Sequence, residues 1–93
     1  MKEKHLEQAL VKAVEARGGR CWKLVSPGTT GVPDRMVLMP GGHVGFVEVK
    51  APGGKVRAIQ KHRLRQLQHL GFKAFVLNDP ARIEEVCDAI SAA

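Results

Sequence analysis

The chain has 93 residues with 15 Lys+Arg against 9 Asp+Glu, a formal charge of +6. That length predicts one domain over residues 1–93, without room for a second, and a fold that gains from pairing because so small a chain buries a limited share of its surface. The charge favours an anionic partner, and the absence of any long apolar run predicts no membrane span.

Residues 3–17 read as a helix, with Leu6, Leu10, Ala13 and Val14 at helical spacing and Gly18-Gly19 as its stop. Its N-terminal segment, Met1 to His5, is too charged for a signal peptide. Residues 20–25 alternate enough for a first strand, and 26–30 form a Pro/Gly/Thr loop that runs into Gly31-Val32-Pro33. Strands follow at 35–39 and 43–50 around Pro40-Gly41-Gly42, with a second turn at Pro52-Gly53-Gly54. A helix over 56–70 ends at Gly71, and 73–77 is a fourth strand. Asp79 is an N-cap and Pro80 a first-turn residue for a last helix. The order is αβββαβα, an α/β fold with a mixed four-stranded sheet flanked by helices and no repeats or linkers.

Cys21 and Cys87 show no metal-binding spacing and read as core thiols in a reducing compartment, which together with the N-terminus predicts a cytoplasmic protein. The four histidines show no metal spacing either. Trp22 and the three Phe residues read as core. With aromatics this sparse and no Tyr, a platform for stacking single-stranded bases is disfavoured.

The chemistry lies in the central hairpin. If Pro40-Gly41-Gly42 is the loop, Met39 pairs with His43, and counting five residues along each strand brings Asp34 opposite Glu48. Opposed residues share a face with Cβ atoms roughly 5 Å apart. A two-residue Gly41-Gly42 turn would set Asp34 against Val49 instead and break the pair. Lys50 follows Glu48 by two and points the same way. Two carboxylates this close both stay ionised only around a positive charge, so the pair calls for Mg²⁺ or Mn²⁺. Lys50 would stabilise the charge of a phosphoryl transition state. The alternative reading is a surface Asp and a Glu–Lys pair on a solvated strand.

Between Glu48 and Asp79 there is no acidic residue, while Lys50, Lys55, Arg57, Lys61, Arg63, Arg65 and Lys73 fall in that interval. A basic block after a carboxylate site predicts a phosphate-tracking surface, the alternative being a solvated helix face. Arg57, Lys61 and Arg65 would face phosphates, joined by Lys55. Lys23, Ser26, Thr30 and Arg35 would hydrogen-bond the nucleic-acid backbone, though ordinary turn chemistry also explains the threonines. Gln60 falls inside the apolar arc of Val56, Ile59, Leu64, Leu67 and Leu70, so a buried amide must find partners on the sheet. Arg63 falls inside the same arc, with a stem long enough to snorkel outward.

Ser26-Pro27-Gly28, Gly31-Val32-Pro33-Asp34-Arg35, Phe46-Val47-Glu48-Val49-Lys50, Gln60 and Leu70-Gly71-Phe72, in that order, resemble the small stand-alone VRR-NUC domains of phages and bacteria within the PD-(D/E)xK nuclease superfamily. The resemblance implies a metal-dependent DNA phosphodiesterase and a homodimer acting on branched DNA. It implies that Asp34, Glu48 and the Val49 carbonyl ligate metal, that Lys50 is catalytic and that Gln60 supports them. A helical Glu often completes such a site, and Glu3 and Glu7, at the edge of the first helix's apolar face, are both candidates, as catalytic groups and, for Glu3, as a metal ligand. Competing readings are a restriction-type endonuclease subunit, a DNA-binding module without catalysis and an RNA-binding domain.

Overall fold

The computed structural model describes residues 1–92. Helix α1 spans Glu3–Ala16 and buries Leu6, Leu10 and Val14, one side chain per turn. It ends where the Gly18 N–H bonds the Glu15 carbonyl and the Gly19 N–H bonds the Val14 carbonyl, satisfying carbonyls that have no partner within the helix. Strands β1 (Arg20–Lys23), β2 (Arg35–Met39) and β3 (His43–Val49) follow. Helix α2 (Ala58–His69) then crosses to β4 (Lys73–Leu77), and a 3-10 turn at Pro80–Arg82 leads into α3 (Ile83–Ser91).

The sheet order is β1-β2-β3-β4. The β1–β2 and β2–β3 pairs are antiparallel and β3–β4 is parallel. This is the expected mixed sheet. Its elements differ from that reading by more than one residue at three ends. The first strand closes at Lys23, although the Leu24 N–H still bonds the Asp34 carbonyl at 2.8 Å. The middle helix begins at Ala58 rather than residue 56. Asp79 caps the 3-10 turn, its carboxylate accepting from the Ala81 N–H at 2.9 Å, before the α-helix proper begins.

Strand alternation sorts the side chains onto two faces. Cys21, Val37, Met39, Val47, Val49 and Leu77 join α1 and α3 in the larger core. Each aliphatic side chain sealed there contributes roughly 1.5–3 kcal/mol of transfer free energy. Both cysteines are buried free thiols, and burial pushes Cys21 up to about 11. The opposite face carries a smaller cluster of Phe46, Leu64 and Ala74, with Leu24, Met36, Val44, Leu67 and Val76 packed around it.

Helix α2 packs over β4 at one edge of the sheet, and the β1 edge lies outside its cover. Trp22 therefore does not enter a core. It stands on the α2 face of edge strand β1, 57% exposed. Leu70, just past the end of α2, is 74% exposed rather than part of a buried arc, and Phe72 is also exposed, its ring edge-on to Phe46 with centroids 5.7 Å apart. Among the described residues no helix is long and apolar enough to cross a membrane.

Candidate active site

Met39 pairs with His43 and the ladder runs to Arg35 opposite Val47, so the loop is the three-residue one and the next position sets Asp34 against Glu48. Asp34 itself lies just outside β2. Strand β3 outlasts β2, which leaves the Val49 N–H without a ladder carbonyl on that side. The Asp34 carboxylate fills the gap, its Oδ2 accepting from the Val49 N–H at 2.9 Å. With its own carbonyl bonded to Leu24, Asp34 is fixed from both neighbouring strands.

Glu48 is 1% exposed. Its Oε2 accepts from the Gln60 amide nitrogen at 3.0 Å and lies 3.6 Å from the Lys50 ammonium. Its Oε1 is buried with no hydrogen-bond partner. Burial, reinforced by the neighbouring Asp34 carboxylate, pushes the Glu48 carboxyl up to about 7, against the opposing pull of Lys50. Gln60 is itself buried at the first turn of α2, and its Oε1 accepts from the Arg57 N–H at 2.9 Å. A backbone N–H can only donate and a carboxylate accepts, so the two partners fix which way the amide points. The same side chain closes the helix start and holds the buried carboxylate.

The loop before Asp34 is fastened to the same helix. Gly31 has a φ of +81°, and a Cβ there would meet the Ile59 side chain at 2.8 Å and its backbone at 3.1 Å. The Arg63 Nε donates to the Thr30 carbonyl at 2.8 Å. Helix α2 thus braces both Glu48, through Gln60, and the approach to Asp34, through Ile59 and Arg63. The signal for Arg63 was present in the sequence, since a charged residue inside an apolar arc needs a polar partner nearby.

The helical glutamates stand elsewhere. Glu7 takes the Arg35 guanidinium at 2.7 Å and the Lys23 ammonium at 3.3 Å. Burial alone would raise its carboxyl, but these two cations outweigh it and hold Glu7 below the usual range. Arg35 also donates to the Cys21 carbonyl at 3.1 Å. By alternation Arg35 shares the α1 face with Val37, while Asp34 shares the α2 face with Met36. Glu3 is exposed on the first turn of α1. Among the described residues no three His, Cys, Asp or Glu side chains form a group able to hold a metal. Glu7 is held by Arg35 and Lys23, and neither it nor Glu3 joins Asp34 and Glu48 in such a group. Arg35, expected on phosphate, is engaged with Glu7 instead. Lys55, Arg57, Lys61 and Arg65 are exposed, as are Lys23 and Thr30, while Ser26 is half-buried.

Comparison with known proteins agrees with this architecture. The VRR-NUC domain family model matches residues 1–79. A protein of Acyrthosiphon pisum secondary endosymbiont phage 1, named "Putative nuclease p44", is 44% identical over 78 residues, covering 84% of each chain. A solved structure of a VRR_NUC domain superposes with a TM-score of 0.87 at 28% identity, over 95% of this chain and 96% of that one. The chain belongs to the VRR-NUC family of nuclease domains.

Proposed function

We propose that this chain is a Mg²⁺- or Mn²⁺-dependent endonuclease that hydrolyses phosphodiester bonds in branched DNA, such as four-way junctions or flaps, during replication, repair or recombination. The observation that carries this reading is the buried Glu48 Oε1 without a partner, beside a second carboxylate. A buried acceptor left unpaired costs about 1–3 kcal/mol, and two adjacent carboxylates add repulsion. A hard divalent cation relieves both, and an oxygen donor set suits Mg²⁺ or Mn²⁺. Asp34 and Glu48 would hold it, with the Val49 carbonyl as a further ligand.

Such a cation, when bound, supplies positive charge that polarises a phosphoryl oxygen and acidifies water. The chain's own groups do the rest. Lys50, on the same face two residues beyond Glu48, meets the negative charge that develops on the phosphoryl oxygens as water adds and one P–O ester bond breaks. Gln60 keeps Glu48 aimed. Exposed Lys55, Arg57, Lys61 and Arg65 contact phosphates along the duplex, with Lys23, Ser26 and Thr30 as further backbone contacts. No base-reading motif is present, so selectivity follows substrate shape. A homodimer would carry two sites for paired cuts, in the cytoplasm of a bacterial or phage-infected cell.

The test is cleavage of end-labelled four-way junction, flap, splayed-arm and linear duplex DNA with Mg²⁺ or Mn²⁺, alongside EDTA. Metal-dependent cutting concentrated on a branched substrate is expected. Tight binding with no cutting in either metal would leave a non-catalytic DNA-binding module.

A further inference from the structure

Asp34 lies outside the β2–β3 ladder, which ends at Arg35 opposite Val47, so its position depends on the run that delivers it. That run, residues 26–33, belongs to no helix or strand. Pro33, immediately before Asp34, is fully buried but has no N–H with which to tie the backbone down. Among the described residues, one hydrogen bond joins this run to another element: the Arg63 Nε donates to the Thr30 carbonyl at 2.8 Å. The close seat of Gly31 on Ile59 supplies packing beside it.

Two features set Arg63 apart from the other cations of α2. Lys61 and Arg65 are exposed, whereas Arg63 is half-buried and its guanidinium is engaged within the protein. Its Nη1 donates to the Gln66 Oε1 at 2.9 Å, which orients the group toward Thr30. Its place on the helix matters as well. Arg63 follows Ile59 by four residues and Gln60 by three, so the three side chains share one side of α2. Gln60 holds the Glu48 carboxylate at 3.0 Å, while Ile59 and Arg63 hold the run into Asp34. One helix therefore bears on both carboxylates.

We propose that Arg63 is a positioning residue for cleavage: by holding the Thr30 carbonyl it brings Asp34 to the separation from Glu48 that a shared cation requires. It acts through a donor nitrogen at the Nε position and not through its charge on DNA. The proposal rests on the nuclease reading and deepens it, since it names what sets the spacing of the two metal-holding carboxylates. A misplacement of about 1 Å at such a site is enough to cost about a hundredfold in rate.

Three substitutions separate the donor from the charge. Arg63→Met keeps an unbranched stem and removes every donor. Arg63→Gln puts an uncharged amide nitrogen as many bonds from the backbone as the Arg63 Nε. Arg63→Lys keeps the charge and puts a methylene at that point. Titration calorimetry with Mn²⁺ alone gives metal affinity, and steady-state cleavage of a four-way junction gives kcat and KM. Arg63→Met is expected to lose about 10–100-fold in Mn²⁺ affinity and in kcat, as for other groups that orient metal ligands, with KM for DNA held. Arg63→Gln is expected to recover most of both, and Arg63→Lys to stay with Arg63→Met. Unchanged Mn²⁺ affinity and kcat in Arg63→Met, with only a lower thermal midpoint, would reduce Arg63 to a stabilising brace and overturn the proposal. A loss carried by KM, rescued by Arg63→Lys and not by Arg63→Gln, would make it a phosphate contact and overturn it too. Where Arg63→Met does not fold, the other two variants decide alone: Gln above Lys supports the proposal, and Lys equal to or above Gln overturns it. A parent chain that neither binds Mn²⁺ nor cuts DNA would instead refute the nuclease reading itself.

Discussion

The two faces of this sheet are built on different terms. The face under α1 and α3 is sealed: its core side chains are apolar, and its ion clusters, Glu7 with Arg35 and Lys23 and Arg17 with Glu84 and Asp88, are internally paired. The face under α2 is incomplete. It buries a carboxylate with one oxygen unpartnered, secures it with an amide, and leaves an apolar groove open beside it. A small domain can carry such a costly face because the other supplies most of the burial. The difference teaches that stability and chemistry are separated by strand alternation: Asp34 and Arg35 are neighbours in sequence and belong to opposite tasks.

That separation can be broken by substitution. Lys50→Ala, on the open face, is expected to lower cleavage by about 10²–10³-fold, the cost of losing one group aimed at transition-state charge, with the thermal midpoint little changed. Leu10→Ala, in the sealed core, is expected to do the reverse. It costs about 2–5 kcal/mol in denaturant unfolding, while cleavage per folded molecule persists. A comparable loss of activity in Leu10→Ala at low temperature would show that the faces are not independent.

Gln60→Ala tests the brace between α2 and the site. Loss of a group that orients a metal-ligating carboxylate costs roughly 10–100-fold in metal affinity or activity. Gln60→Glu, which removes the donor and adds a third carboxylate, should be worse. Glu7→Gln sharpens the contrast from the other side. It removes one partner of a mostly buried ion pair and is expected to cost about 1–3 kcal/mol of stability with metal affinity retained. A selective loss of metal binding in Glu7→Gln would return that residue to the active site.

The two faces should also answer pH oppositely in metal-free protein. Glu48 is raised from 4.5 to about 7, so its contribution to stability is present below about 4.5 and is lost as pH rises toward 7. Glu7 is lowered, so its contribution is present above about 4.5 and is lost as pH falls through its folded value. Thermal midpoints of Glu48→Gln and Glu7→Gln against the parent, measured from about pH 4 to 8, separate the two slopes. A divalent cation must displace the proton on Glu48, so its apparent affinity should fall as pH drops below about 7.

Much of this was legible in the sequence. The hairpin register followed from three loop residues, and with it the Asp34–Glu48 opposition and the facing Lys50. Gln60 was legible as an amide in an apolar arc. The helical glutamates were not, because helical periodicity tells which residues share a stripe and is silent on which sheet face the stripe covers. Arg35 could have been placed, since alternation alone turns it away from Asp34. Trp22 was missed for another reason. Its burial depended on whether a helix reaches the β1 edge, and α2 packs over the opposite edge, against β4.

The central claim is that Asp34 and Glu48 together hold the cation on which cleavage depends. Mn²⁺ binding measured by titration calorimetry on the parent and on Glu48→Gln, with junction cleavage assayed on the same samples, tests it most directly. Binding and cutting lost together in a variant that remains folded are the predicted result. Undiminished Mn²⁺ affinity or undiminished cleavage in Glu48→Gln would contradict it.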